Sequence, residues 1–167
     1  YVIMLVFGGY VVSKFRPPTD TKANMTIHEF GRLPVVYEGR VKPLDTLARN
    51  TLRIVSNKET FIAGDQDPKD RPPKLPAIQW LLDVVSSAPE ARTHRVYRID
   101  HLDVLNTLGL QRRKGFRYAE EEFEDQLRNR DSAFMKQLAE ARALEPEQMS
   151  LYQKKLIEFE RRVRAVR

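Results

Sequence analysis

The first twelve residues, Tyr-Val-Ile-Met-Leu-Val-Phe-Gly-Gly-Tyr-Val-Val, carry no charge, and the chain that follows them is rich in charge. This contrast constrains the fold more than any other feature, because so apolar a run must leave water for protein or lipid. A bilayer span takes roughly 20 apolar residues, so the run is too short to cross by itself. Three readings compete. A signal-peptide core would need a basic stretch before it and a small-x-small cleavage site after it, and neither is present. A buried core element and the C-terminal part of a transmembrane helix remain. Tyr10, Lys14 and Arg16 have the character of interfacial anchors, which favours the membrane reading. The expectation is therefore an internal piece of a larger membrane protein. Arg161 to Arg167 fits this too, since it stops within a helical pattern.

The remainder is not a bundle of membrane spans. Of 167 residues, 31% are charged against 41% hydrophobic, which excludes a polytopic membrane protein. With no cysteine, disulfides, thiolate zinc sites and cysteine nucleophiles are excluded, as is covalent heme attachment through Cys-x-x-Cys-His. The net charge of +6 is modest and selects no partner class.

Patterning divides the chain into 1–16, the end of a transmembrane helix; 17–27, a polar, turn-rich linker; 28–118, a small α+β domain; and 119–167, a helical hairpin. The expected class is mainly α within α+β. Apolar residues around Glu38-Gly39 predict a short β-hairpin, with Gly39 supplying the positive φ of its turn. Pro43 ends the second strand, and Asp45 or Thr46 can cap a helix carrying Leu44, Leu47, Ala48, Leu52 and Val55 on one face. Ser56-Asn57 stops that helix. A proline-rich loop over 63–76 precedes a helix with Ala77, Trp80, Leu81, Val84 and Val85 as its stripe. His94 to Ile99 reads as a strand, and Asp100 as the cap of a short helix that Gly109 ends. Farther on, Phe123, Leu127, Phe134, Leu138 and Ala141 recur at helical spacing. Met149, Tyr152, Leu156, Phe159, Val163 and Val166 form a second seam beyond Pro146, which together predicts an αα-hairpin.

Motifs for chemistry are sparse. His28, His94 and His101 lack the i,i+4 pairing of a helical metal site, although any of them could in principle be an axial heme ligand. The acidic run Glu120-Glu121-Glu122 with Glu124 and Asp125 reads as a solvated helix start favoured by the helix dipole. Arg112, Arg113, Lys114, Phe116, Arg117 and Tyr118 interleave cations with aromatics as a single-strand binder does. The run is short and acids follow at once, so a nucleic-acid partner is not expected. On the second hairpin strand, alternation puts Arg40 and Lys42 on one face, opposite Val41. They could receive a carboxylate or form the solvated side.

The run Phe-Gly-Arg-Leu-Pro-Val at 30–35, continued by Gly39-Arg40-Val41-Lys42-Pro43-Leu44-Asp45-Thr46-Leu47-Ala48-Arg49, resembles a signature of system II cytochrome c biogenesis proteins. These are of the ResB/CcsA type, in its long or fused forms. Gly39, Arg40, Lys42, Pro43, Asp45 and Thr46 match that motif, and the similarity extends over about residues 28–125. The resemblance implies a soluble region outside the cytoplasm, tethered to the inner membrane, in a protein that delivers heme and attaches it to apocytochrome c. The implied partners are apocytochrome c and the membrane-embedded heme-handling subunit or region. The family's tryptophan-rich segment is missing, Trp80 being the only tryptophan. Heme is accordingly expected on the parent protein and not ligated in this segment, and no residue here is expected to be catalytic. Lys14, Arg16 and Lys22 would by themselves place their flank in the cytoplasm; the longer motif outweighs them. A non-enzymatic, membrane-tethered scaffold that uses the 119–167 hairpin is the alternative.

Overall fold

The computed structural model describes residues 2–14, 26–64 and 72–166. Helices dominate, and each sheet among the described residues has two antiparallel strands, so the α+β, mainly α expectation holds. α1 (Val2–Lys14) comes first. Residues 15 and 16 and most of the predicted linker lie outside the described residues. After α2 (Ile27–Gly31), β1 (Pro34–Tyr37) and β2 (Arg40–Pro43) form a hairpin in the register Val35↔Lys42, Val36↔Val41 and Tyr37↔Arg40. Both turn residues have positive φ, 52° at Glu38 and 73° at Gly39, as a type I′ connection requires.

α3 (Leu44–Ser56) starts at once from Pro43, which is its N-cap and makes no side-chain cap bond. The expected caps Asp45 and Thr46 instead lie inside the first turn, because the φ fixed by Pro43 turns the chain directly from strand into helix. Asn57, at φ 57°, ends α3 in the left-handed conformation. Ala48, Leu52 and Val55 are buried on its inner face. Opposite them, β3 (Thr60–Phe61) pairs with β4 (Leu75–Pro76), and α4 (Ala77–Val85) buries Ala77, Ile78, Trp80 and Leu81. The predicted stripe is wrong at its end: Val85 is 72% exposed, because the helix stops there.

α5 (Pro89–Thr93) is a short polar helix with no sequence forewarning. The expected strand from His94 to Ile99 shrinks to β5 (Tyr97–Arg98), since β6 (Arg117–Tyr118) offers it only two partners. α6 (Leu102–Thr107) has His101, not Asp100, as its N-cap, and Leu102 is exposed while Val104 and Leu105 are buried. One 3-10 turn, Glu120–Glu122, leads into α7 (Glu124–Arg128), α8 (Ala133–Arg142) and α9 (Leu151–Arg164). Ser132 caps α8, and Ser150 with Gln153 forms a capping box on α9, so both helices of the C-terminal hairpin have satisfied N-termini.

The seam read from the sequence is the one buried: Phe134 and Leu138 of α8 meet Leu156, Phe159 and Val163 of α9. These residues belong to the same apolar cluster as Leu52, Trp80, Tyr97 and Phe123. Segments 28–118 and 119–167 therefore share a core. The rings of Tyr97, Phe123, Phe159 and Phe134 run through it in edge-to-face contacts with centroids 5.2, 5.2 and 5.9 Å apart.

Candidate functional site

The signature run folds as one continuous unit. Gly31, at the end of α2, packs so closely that a Cβ there would meet Asp45 Cβ at 3.1 Å and Ile78 Cγ1 at 3.4 Å. Its small size brings α2 against α3 and α4. The Leu44 N–H donates to the Leu33 carbonyl at 2.9 Å, closing the hairpin at its base. Asp45 accepts from Arg49 at 2.8 Å, one helical turn on. Gly39, Pro43, Asp45 and Thr46 therefore have local structural positions: turn, strand-to-helix corner and first helical turn.

The hairpin itself faces outward. Register and alternation place Tyr37, Arg40 and Lys42 on one face, where the Lys42 ammonium lies 5.5 Å from the Tyr37 ring centroid. Val36 and Val41 oppose each other on the other face and are 72% and 71% exposed. A β-branched cross-strand pair of this kind is normally covered. Here solvent covers it.

The histidines separate into different environments. His94 is buried; its Nδ1 accepts the Gly64 N–H at 3.0 Å and its Nε2 faces Asp83 Oδ2 at 3.0 Å. The backbone donor fixes the proton on Nε2, so both nitrogens are engaged and neither is free to bind a metal. His101 Nδ1 is buried without a hydrogen bond and lies 3.8 Å from Asp103 Oδ2. His28 sits on α2. No group of three or more His, Asp or Glu side chains that could hold a metal ion occurs among the described residues.

The acidic run is not uniformly solvated, contrary to expectation. Glu124 is 5% exposed and is held by Arg92 and Arg128. Glu122 accepts the Ala119 N–H at 2.8 Å and receives the Arg113 guanidinium. These carboxylates fasten α5 and the basic turn to the body, and a buried one left without its arginines would be costly.

The basic turn at 112–118 does not offer stacking rings. Tyr118 is fully buried, with the Arg113 guanidinium 4.6 Å from its ring centroid, and Phe116 lies under Arg112 at 5.5 Å. The turn instead forms one wall of a cleft that also gathers Lys58, Lys74 and Arg95. Sequence reasoning missed these three, which are scattered between residues 58 and 95 and stand in no motif.

Burial pushes the Tyr118 phenol above its usual range, outweighing the opposing Arg113 charge. Its O–H donates to the Gln111 carbonyl at 2.9 Å. Because the folded value is raised, this contribution to stability is complete below the ordinary tyrosine value of about 10 and is lost as pH rises through the folded value. Tyr118→Phe is expected to cost about 1 kcal/mol at neutral pH, from the lost hydrogen bond. It should also flatten the alkaline decline in urea stability; a decline as steep as the parent's would assign it to another group.

The chain matches no protein-family model and no curated protein.

Proposed function

We propose that the chain is the extracytoplasmic segment of an inner-membrane protein for cytochrome c maturation, acting by docking and not by chemistry of its own. The observation that carries this reading is the outward hairpin. The residues with the family resemblance build a two-stranded element whose Val36–Val41 face stands away from the core and is left exposed by the described residues. An element that contributes so little to its own core is suited to meeting a partner.

The N-terminal helix supports the membrane part of the reading. From Ile3 to Phe7 every side chain of α1 is at least 67% exposed, and an all-round apolar helix of this kind belongs in lipid or protein. No described helix is long and apolar enough to cross a membrane; in this reading α1 is part of a longer span. The stretch from Lys14 to Thr26 can reach at most about 40 Å when fully extended. The hairpin would thus stay near the bilayer, facing the membrane-embedded heme-handling subunit or region, with apocytochrome c as the other partner. Heme would be held by the parent assembly, whose heme attachment activity is completed outside this segment.

The alternative, a scaffold built on the α8–α9 hairpin, has less support, since Leu156, Phe159 and Val163 of its seam are turned into the core. Deleting the segment from its parent protein in cells tests the proposal. Membranes stained for covalently bound heme should lose their c-type cytochromes, and the full chain supplied in trans or in cis should restore them. Unchanged cytochromes after deletion would overturn it.

A further inference from the structure

A cleft of about 540 Å³ opens beside the C-terminal end of α3, within the roughly 300–1,000 Å³ of typical small-ligand sites. None of its lining residues belongs to the β1–β2 hairpin. Lys58, Lys74, Arg95, Arg113, Lys114 and Arg117 line it, and among the described lining residues there is no carboxylate. Glu122 offsets Arg113 and Arg95, and the fold holds the others close together. Arg117 also stands directly opposite Arg98 across β5 and β6, an unfavourable arrangement for like charges, although Arg98 lies outside the lining and has Asp100 at 3.5 Å. Arg117, with lesser help from burial, Lys74 and Arg98, holds the Lys58 ammonium below its usual range.

The donors already in use narrow the ligand. The Arg117 guanidinium donates to the Ser56 and Gly115 carbonyls at 3.0 and 3.2 Å, that of Arg113 is occupied by Glu122, and Arg95 has partners of its own, Glu122 among them at 3.9 Å. The planar forks that recognise a carboxylate in two parallel bonds are thus taken. Lys58, Lys74 and Lys114 remain; they form no ion pair among the described residues, and they supply compact point charges suited to a multiply charged, roughly spherical anion. Phe61, Ile62 and Val96 give the cleft an apolar part, which lowers the local dielectric and strengthens the attraction.

We propose that this cleft binds a phosphate-bearing ligand, either a free phosphorylated small molecule or the headgroup of an anionic lipid. The inference stands apart from the cytochrome c reading and survives or fails without it. Titration of the full chain with inorganic pyrophosphate tests the first source. Sedimentation with phosphatidylcholine vesicles, with and without phosphatidylglycerol, tests the second, the neutral vesicles accounting for any insertion of α1. Both use the parent, the site variant Lys58→Gln/Lys114→Gln and the control Lys136→Gln/Lys154→Gln, which removes the same charge from exposed positions on α8 and α9.

Pyrophosphate binding that falls at least about tenfold in the site variant, and is unchanged in the control, supports a free phosphate ligand. A preference for phosphatidylglycerol vesicles that the site variant alone loses supports the lipid headgroup. The proposal is overturned if site and control variants behave alike in both assays. It is equally overturned if pyrophosphate binds and succinate binds as tightly.

Discussion

Replacing Phe159 with alanine is expected to destabilise the protein by about 3–5 kcal/mol, a large share of the roughly 5–15 kcal/mol that holds a domain together. Phe159 is 4% exposed and makes edge contacts with Phe123 and Phe134. Truncation removes its transfer free energy and leaves a hole between α8 and α9 that their capped, close-packed backbones cannot collapse to fill. Because the cluster is continuous from Phe159 to Trp80, the loss should be felt far from α9. The sole tryptophan makes this measurable. In urea, the Trp80 fluorescence transition and the helical circular dichroism transition should move down together and remain coincident. Leu151→Ala, at a position 66% exposed, should change stability by no more than about 0.5 kcal/mol. If Phe159→Ala lowered the helical signal and left the Trp80 transition in place, the C-terminal hairpin would be a separate folding unit.

The second large effect is on function. Val36→Glu combined with Val41→Glu should leave folding stability within about 0.5 kcal/mol of the parent, because both side chains already lie in water and neither packs into the core. Two carboxylates facing each other across the strands repel modestly at the surface, where salt screens them. At a docked interface the same change is severe, since it places two unpaired charges where an apolar surface was to be covered. Under the proposed docking role, cytochrome c maturation should therefore fall at least about tenfold, with normal abundance of the variant protein.

Periodic elements were legible from the sequence. α3 shows its face through Ala48, Leu52 and Val55, and the last two helices through Phe134, Leu138, Leu156, Phe159 and Val163, because burial of one stripe leaves a repeat in the chain. The hairpin turn was legible for a different reason: Gly39 marks the positive φ that few residues accept. Elements without a stripe were not. α5 has the sequence Pro-Glu-Ala-Arg-Thr and buries no residue, so nothing periodic announces it. Strand length at His94 to Ile99 depends on how many partners β6 supplies, which is a tertiary fact.

Glu124 shows the same limit in its charge environment. Its acidic neighbours suggested solvent, whereas its burial depends on Arg92, brought from α5. The motif residues from Gly39 to Thr46 were visible as a group, and the structure adds that the valines beside them, and not the matched residues alone, present the exposed face. The cationic cleft was beyond local reading. Lys58, Lys74 and Arg95 come from separate loops, and only the packing of β3, β4 and β6 brings them beside the Arg113–Arg117 turn.

The most direct measurement is the amount of covalently heme-stained c-type cytochrome in membranes of cells whose only copy of the parent protein carries Val36→Glu and Val41→Glu. The docking account predicts a fall of at least about tenfold at unchanged protein abundance. Heme-stained cytochrome at the parental level, with the variant present and folded, would contradict it.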